Sequence, residues 1–208
     1  MLFETWIAFV AASALLFAIP GPVVVMAGGY VLGKGRASLW ATIPGVLLGD
    51  FVAMSISLAG AGAVLALSAT LFTFLKLAGA AYLIWLGIQM WRMNVQGDDM
   101  TQMGPDKADF RRMFRNAFLI TVLNPKSILF FMAFLPQFID PDGQVLLQFL
   151  ILEATFLSLS AFSIGVWGLM ADRARHLMKT NAAQAMAGKF SGSVLIGAGV
   201  LTAIAREK

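Results

Sequence analysis

Six apolar runs separated by polar stretches divide this chain, and the first five are each long enough to cross hydrocarbon as a helix. The first runs from about Trp6 to Tyr30 and ends at the basic turn Gly33-Lys34-Gly35-Arg36. The second covers about Ala37–Gly60, where Gly60-Ala61-Gly62-Ala63 blurs its end. The third covers about Thr70–Trp91, with Trp85 and Trp91 placed as interface anchors. Residues 92–113 form the longest polar loop. The fourth run is about Phe114–Phe138, closed by the turn Asp140-Pro141-Asp142-Gly143. The fifth is about Val145–Met170, followed by a polar stretch from Asp172 to about Lys189 in which Thr180–Ala187 has helical character. The sixth, Phe190–Ala205, is the shortest and richest in glycine, so its start is expected to lie a few residues earlier.

Two of these runs carry breaks. Pro20 and Pro22 lack backbone N–H groups and crowd the preceding turn, while Gly21 is free to take an unusual φ. A regular helix therefore cannot pass through Pro20-Gly21-Pro22. The fourth run is interrupted in the same way at Asn124-Pro125-Lys126. Carbonyls freed in hydrocarbon need protein, water or a ligand, so a break is either a packed kink or the wall of a binding site.

Charge decides the orientation. Eleven Lys or Arg fall in the turn at 33–36 and in the loops after the third and fifth runs, against only Arg206 and Lys208 on the other side. That imbalance fits six crossings with both termini external. Composition agrees: of 208 residues, 59% are hydrophobic and 12% charged, about half the charged share of a soluble domain. The net charge of +4 thus reads as a topology signal and not as a nucleic-acid surface. With no cysteine and one histidine, His176, the chain offers no disulfide, thiol-redox centre, metal cluster or haem ligand set, and no cofactor is expected. Glu4 and the lack of a basic start point to a retained first helix, not a cleaved signal.

Two intervals coincide. Pro22 and Pro125 stand 103 positions apart, as do Asp50 and Glu153. Each proline lies in the first helix of a three-helix half, and each carboxylate in the second. Three crossings per half give the halves opposite orientations, the pattern of an inverted repeat. The expected fold is an all-α polytopic membrane protein of six helices in two inverted three-helix repeats, with the first and fourth helices broken. It forms one transporter domain, with halves 1–91 and 114–208 joined by a cytoplasmic loop over 92–113.

Asp50, Lys126 and Glu153 are the deep charges. Each costs several kcal/mol in hydrocarbon unless paired, hydrated or neutralised. A carboxylate at such depth favours its neutral form and can carry a proton on and off. Asp50 and Glu153 are thus candidates for proton or ammonium coupling. Lys126 pairs with either acid or meets a substrate carboxylate; buried pairs that only hold helices together are the structural alternative. Ser55, Ser57, Ser158, Ser160 and Ser163 read as hydroxyls bonded to their own helix backbone. Gly45 and Gly49 are spaced either for close helix contact or for an oligomer face. The run Phe130–Phe138 is explained by lipid contact or core packing.

Several motifs together resemble the LysE/RhtB family of bacterial amino-acid exporters. They are Ile19-Pro20-Gly21-Pro22, Gly45-Val46-Leu47-Leu48-Gly49-Asp50, the stretch Leu77 to Gly87, Phe114-Arg115-Asn116-Ala117-Phe118, Leu123-Asn124-Pro125-Lys126 and Phe134-Leu135-Pro136-Gln137-Phe138. The resemblance implies about six helices in the bacterial cytoplasmic membrane and efflux of small amino acids or related metabolites, coupled to protons. On that reading Pro20, Gly21, Pro22, Asn124, Pro125 and Lys126 form the substrate site, and the chain is compatible with a homodimer. A proton-coupled exporter of another small cation, a passive channel and a membrane scaffold are the rival classes. An intramembrane enzyme lacks a convincing constellation.

Overall fold

The computed structural model describes residues 1–61, 77, 80–88, 91, 107–177 and 181–204. Most of the third expected run, with Lys76, the turn at 62–69, the polar loop over 92–106 and the tail after Ile204 lie outside the described residues. What is described is helical and contains no strand.

The first run is two helices, α1 (Phe3–Ala18) and α2 (Pro22–Lys34), bent by 53°. The proline chemistry explains the joint. Ile19, forced away from the helical region by the ring that follows it, is extended at φ −87° and ψ 110°. Pro22 opens α2 at a first-turn position, where its missing N–H costs nothing. Gly21 does not supply an unusual φ; at −110° it is ordinary extended backbone. The positive φ among the described residues belongs instead to Gly35, at 77°, in the basic turn that leads through a 3-10 turn, Arg36–Ser38, into α3 (Leu39–Ala61).

Residues 80–88 are helical, the described core of α4. The fourth run begins within the expected loop as α5 (Lys107–Val122) and resumes after the break as α6 (Pro125–Ala133). Asn124 caps α6, its side-chain oxygen accepting from the Lys126 amide at 3.2 Å. A 3-10 turn, Leu135–Phe138, ends the run. α7 (Val145–Leu177) outlasts its apolar stretch, and α8 (Asn181–Ile204) starts nine residues before Phe190. Its first turns, rich in alanine, form helix readily although their hydropathy is low. Among the described residues Arg36–Leu58 and Val145–Ala174 are long and apolar enough to cross a membrane, and the bent α1–α2 pair passes the same test when its two helices are taken together, as a broken span or a re-entrant loop.

Glycine sets the helix spacing. A Cβ at Gly45 would lie 2.5 Å from the Phe114 carbonyl oxygen, and one at Gly49 would lie 2.6 Å from Thr121 Cβ. The Gly45–Gly49 stripe is thus the seat of α5 on α3, inside one chain. Gly87 of α4 and Gly192 of α8 make a second such crossing, each facing the other's carbonyl oxygen.

Two apolar clusters flank the breaks. One gathers Met26, Tyr30, Val46, Leu86, Ile120 and Leu195. The other is aromatic: Phe9, Phe130, Phe131 and Phe156 pack with centroids 4.8–6.4 Å apart. Core packing therefore explains Phe130 and Phe131, whereas Phe134 is exposed. Exposed large side chains such as Trp40, Phe162 and Phe190 suit a lipid-facing surface.

Candidate functional site

Between the two clusters a cleft opens beside both helix breaks. Its non-atom space, the open solvent at its mouth included, is about 420 Å³. Gly21, Val23 and Val24 bring the α2 N-terminus to it, and Asn124, Lys126 and Ser127 bring the α6 N-terminus. Asp50 and Ser160 form its polar floor, with Val46, Ile164 and Thr121 beside them. Val23 and Val24 sit in the first turn of α2, where amides have no intrahelical acceptor. Both N-terminal dipole ends favour an anion at this place.

Lys126 joins the two breaks. Its Nζ donates to the carbonyl oxygens of Leu16 and Ile19, the latter at 2.7 Å. The Leu16 carbonyl is the group that residue 20 would have capped, had Pro20 carried an N–H. Ile19 lies at the break itself. Phe17, between them in sequence, has its carbonyl 3.4 Å from the indole N–H of Trp167 on α7. The ammonium thus occupies the C-terminal dipole end of α1, a favourable place for a cation. Of the alternatives open to Lys126, pairing with an acid is not formed: it reaches neither Asp50 nor Glu153, but the backbone that Pro20 and Pro22 leave open. Lys34 and Asp109 form a salt bridge between α2 and α5.

The two carboxylates are held alike but not in one place. Asp50 is 3% exposed on α3 and accepts from Ser160 Oγ of α7 at 2.6 Å. Glu153 is equally buried on α7 and accepts from Ser55 Oγ of α3 at 3.2 Å. Each helix thus lends a serine to the other's acid. Asp50 lines the cleft; Glu153 is absent from its lining and stands beside the aromatic cluster, next to Leu152. The serine reading is corrected here. Ser158 does bond its own helix, at Ala154, but Ser55 and Ser160 do not. Local bonding is the default for a helical hydroxyl, and only the α3–α7 pairing shows a better acceptor opposite.

Residues not singled out from sequence also appear. Asn116 of α5 donates to Tyr30 OH at 2.7 Å and accepts from Tyr82 OH at 3.3 Å, tying α2, α5 and α4. An asparagine on the apolar face of an amphipathic helix was the available signal. Thr121, 1% exposed, lines the cleft with an unpartnered hydroxyl. In the chain it reads as an ordinary helical threonine.

Comparison with known proteins places the whole chain. A profile described as LysE type translocator matches residues 14–206. The homoserine/homoserine lactone efflux protein of Salmonella typhi is 34% identical over 207 residues, covering 100% of both chains. An uncharacterized membrane protein of Vibrio cholerae serotype O1 is 34% identical over 204 residues, 98% of each. The leucine efflux protein of Enterobacter sp. (strain 638) is 30% identical over 155 residues, 74% of this chain and 72% of that one. No solved structure matches. The chain, with its apolar spans and two helix breaks meeting at one cleft, belongs to the family of LysE type translocators.

Proposed function

We propose that this protein is a secondary transporter that exports small amino acids or closely related metabolites across the bacterial inner membrane, driven by protons. The observation that carries the reading is the meeting of both helix breaks, Lys126 and the Asp50–Ser160 pair on one cleft. Relatives named for homoserine and leucine efflux support the substrate class.

The chemistry follows from the charges. A zwitterion brings a carboxylate and an ammonium a few bonds apart. The amides at the starts of α2 and α6, with Lys126 beside them, receive the carboxylate. Asp50 receives the ammonium, or the proton that replaces it. Glu153 is a second protonatable station on the same α3–α7 seam. Pro20, Pro22 and Pro125 act through the backbone they interrupt, and Asn124 by capping α6. Six crossings in two inverted repeats, with external termini, would let one half rock against the other around this site.

The test is flux in proteoliposomes under an imposed pH gradient, read with single labelled amino acids. The wild type should transport in a gradient-dependent way. Asp50→Asn should abolish the flux while the protein still inserts and migrates as a folded species. Undiminished transport by that variant would sink the role given to Asp50.

A further inference from the structure

Hydroxyl groups on the helices of this protein find acceptors in two ways. Thr42, Thr155, Ser158 and Ser193 bond the carbonyl four residues back. Ser55 and Ser160 bond carboxylates on a neighbouring helix. Among the described residues Ser13 and Thr121 are buried with no partner at all, and of the two Thr121 lines the cleft. Its Oγ1 is buried without a hydrogen-bond partner, although the Ala117 carbonyl lies four residues back on the same helix. A buried hydroxyl left unmatched is costly enough that native structures rarely keep one without a use.

Its position is specific. Thr121 is in the last turn of α5, three residues before the cap of α6, and its own carbonyl accepts from the Asn124 amide at 3.1 Å. Its Cβ is pressed on Gly49, the residue before Asp50. It therefore lines the cleft between the acid and the second helix break. The remaining polar groups there are engaged: Ser160 with Asp50, Asn124 with Ser127, Lys126 with the α1 carbonyls. Oγ1 is closed to any water-sized contact in this state, so a partner meets it only where the wall yields to a bound substrate.

We infer that Thr121 is the residue that reads the substrate's side chain, through a hydrogen bond from its hydroxyl to a hydroxyl on the transported amino acid. This rests on the amino-acid reading of the cleft and deepens it. Once the substrate's ammonium is at Asp50 and its carboxylate at the helix starts, its side chain is what remains to face Thr121, Val46 and Ile164. A short hydroxylated chain matches one free hydroxyl amid apolar surface. An aliphatic chain of the same size leaves it unmatched. A site built to bond a substrate hydroxyl discriminates strongly against the analogue that lacks it.

The experiment compares homoserine with norvaline, its near-isostere without the hydroxyl, in reconstituted vesicles. The wild type should favour homoserine by about tenfold or more in transport efficiency. Thr121→Val, which keeps the shape and removes the hydroxyl, should erase that preference while norvaline flux persists. Thr121→Ser should retain it. A wild type without preference, a Thr121→Val protein with the preference intact, or one folded but dead to both substrates would each overturn the inference. Asp50→Asn is run alongside. If it still transports, the reading of the cleft fails; if it does not, a negative Thr121 result refutes the specificity role alone.

Discussion

Lys126→Met should cost stability as well as transport, and the structure says how much. The ammonium donates to the carbonyls of Leu16 and Ile19, which the Pro20–Pro22 break leaves without helix amides. Hydrogen bonds from a charged donor contribute about 1.5–3 kcal/mol each when buried. The bond to Leu16 is part-buried, while that to Ile19 opens on the cleft and is discounted accordingly. Together they predict a loss of about 2–4 kcal/mol, with Lys126→Arg retaining most of it. The cause is isolated by a double-mutant cycle with Pro20→Ala. An alanine at position 20 restores an N–H that can cap Leu16, so the lysine becomes partly redundant. Reversible unfolding in mixed micelles should then show a coupling of about 1 kcal/mol or more between the two substitutions. Additivity to within about 0.5 kcal/mol, or a Lys126→Met protein as stable as wild type, would refute the capping role.

Two further outcomes follow from the same geometry. Gly45→Ala places a Cβ 2.5 Å from the Phe114 carbonyl oxygen, which is backbone and cannot step aside, so it should destabilise by about 1–3 kcal/mol. Gly33→Ala, with nothing within 4 Å, should show no such clash penalty in the same unfolding assay. Ser160→Ala removes the donor to Asp50 and should lower gradient-driven flux about tenfold or more, whereas Ser158→Ala, whose hydroxyl bonds only Ala154, should transport normally. Equal flux in the two serine variants would detach Ser160 from the site.

The sequence showed where the chain had to break but not what would fill the breaks. Pro20, Pro22 and Pro125 forbid particular backbone bonds whatever surrounds them, so both joints were readable from residue identity. The spacing of Gly45 and Gly49 was equally plain, yet only the contact with Phe114 and Thr121 decides between a neighbouring helix and a second copy. Lys126 was recognised as a deep charge, but a flexible side chain has several destinations, and the acids drew attention from the carbonyls. Ser55 and Ser160 were assigned to their own helices because that bond is available in any helix, whereas the carboxylates exist only across the α3–α7 interface. The start of α8 was obscured because Ala-rich turns from Asn181 carry helix propensity without hydropathy.

What distinguishes this cleft from a structural polar cluster is that its opposite charges are kept apart. Had Asp50 and Lys126 formed an ion pair, a substrate would have had to break it before binding. Instead the acid is held by a neutral hydroxyl and the base by neutral carbonyls. Such bonds ease the burial of each group but supply no opposite charge to it. A ligand bearing only an amine or only a carboxylate would match one charge and leave the other as it was. A zwitterion matches both at once, and on the proposed reading this is why the site selects amino acids over simple ions. It also gives the lysine two uses that compete. While it caps α1, the first break is tied to the second; on the proposed reading a substrate carboxylate would draw the ammonium away, free those carbonyls and loosen the tie. Substrate binding and the readiness of the halves to move would then be one exchange of hydrogen bonds at Lys126.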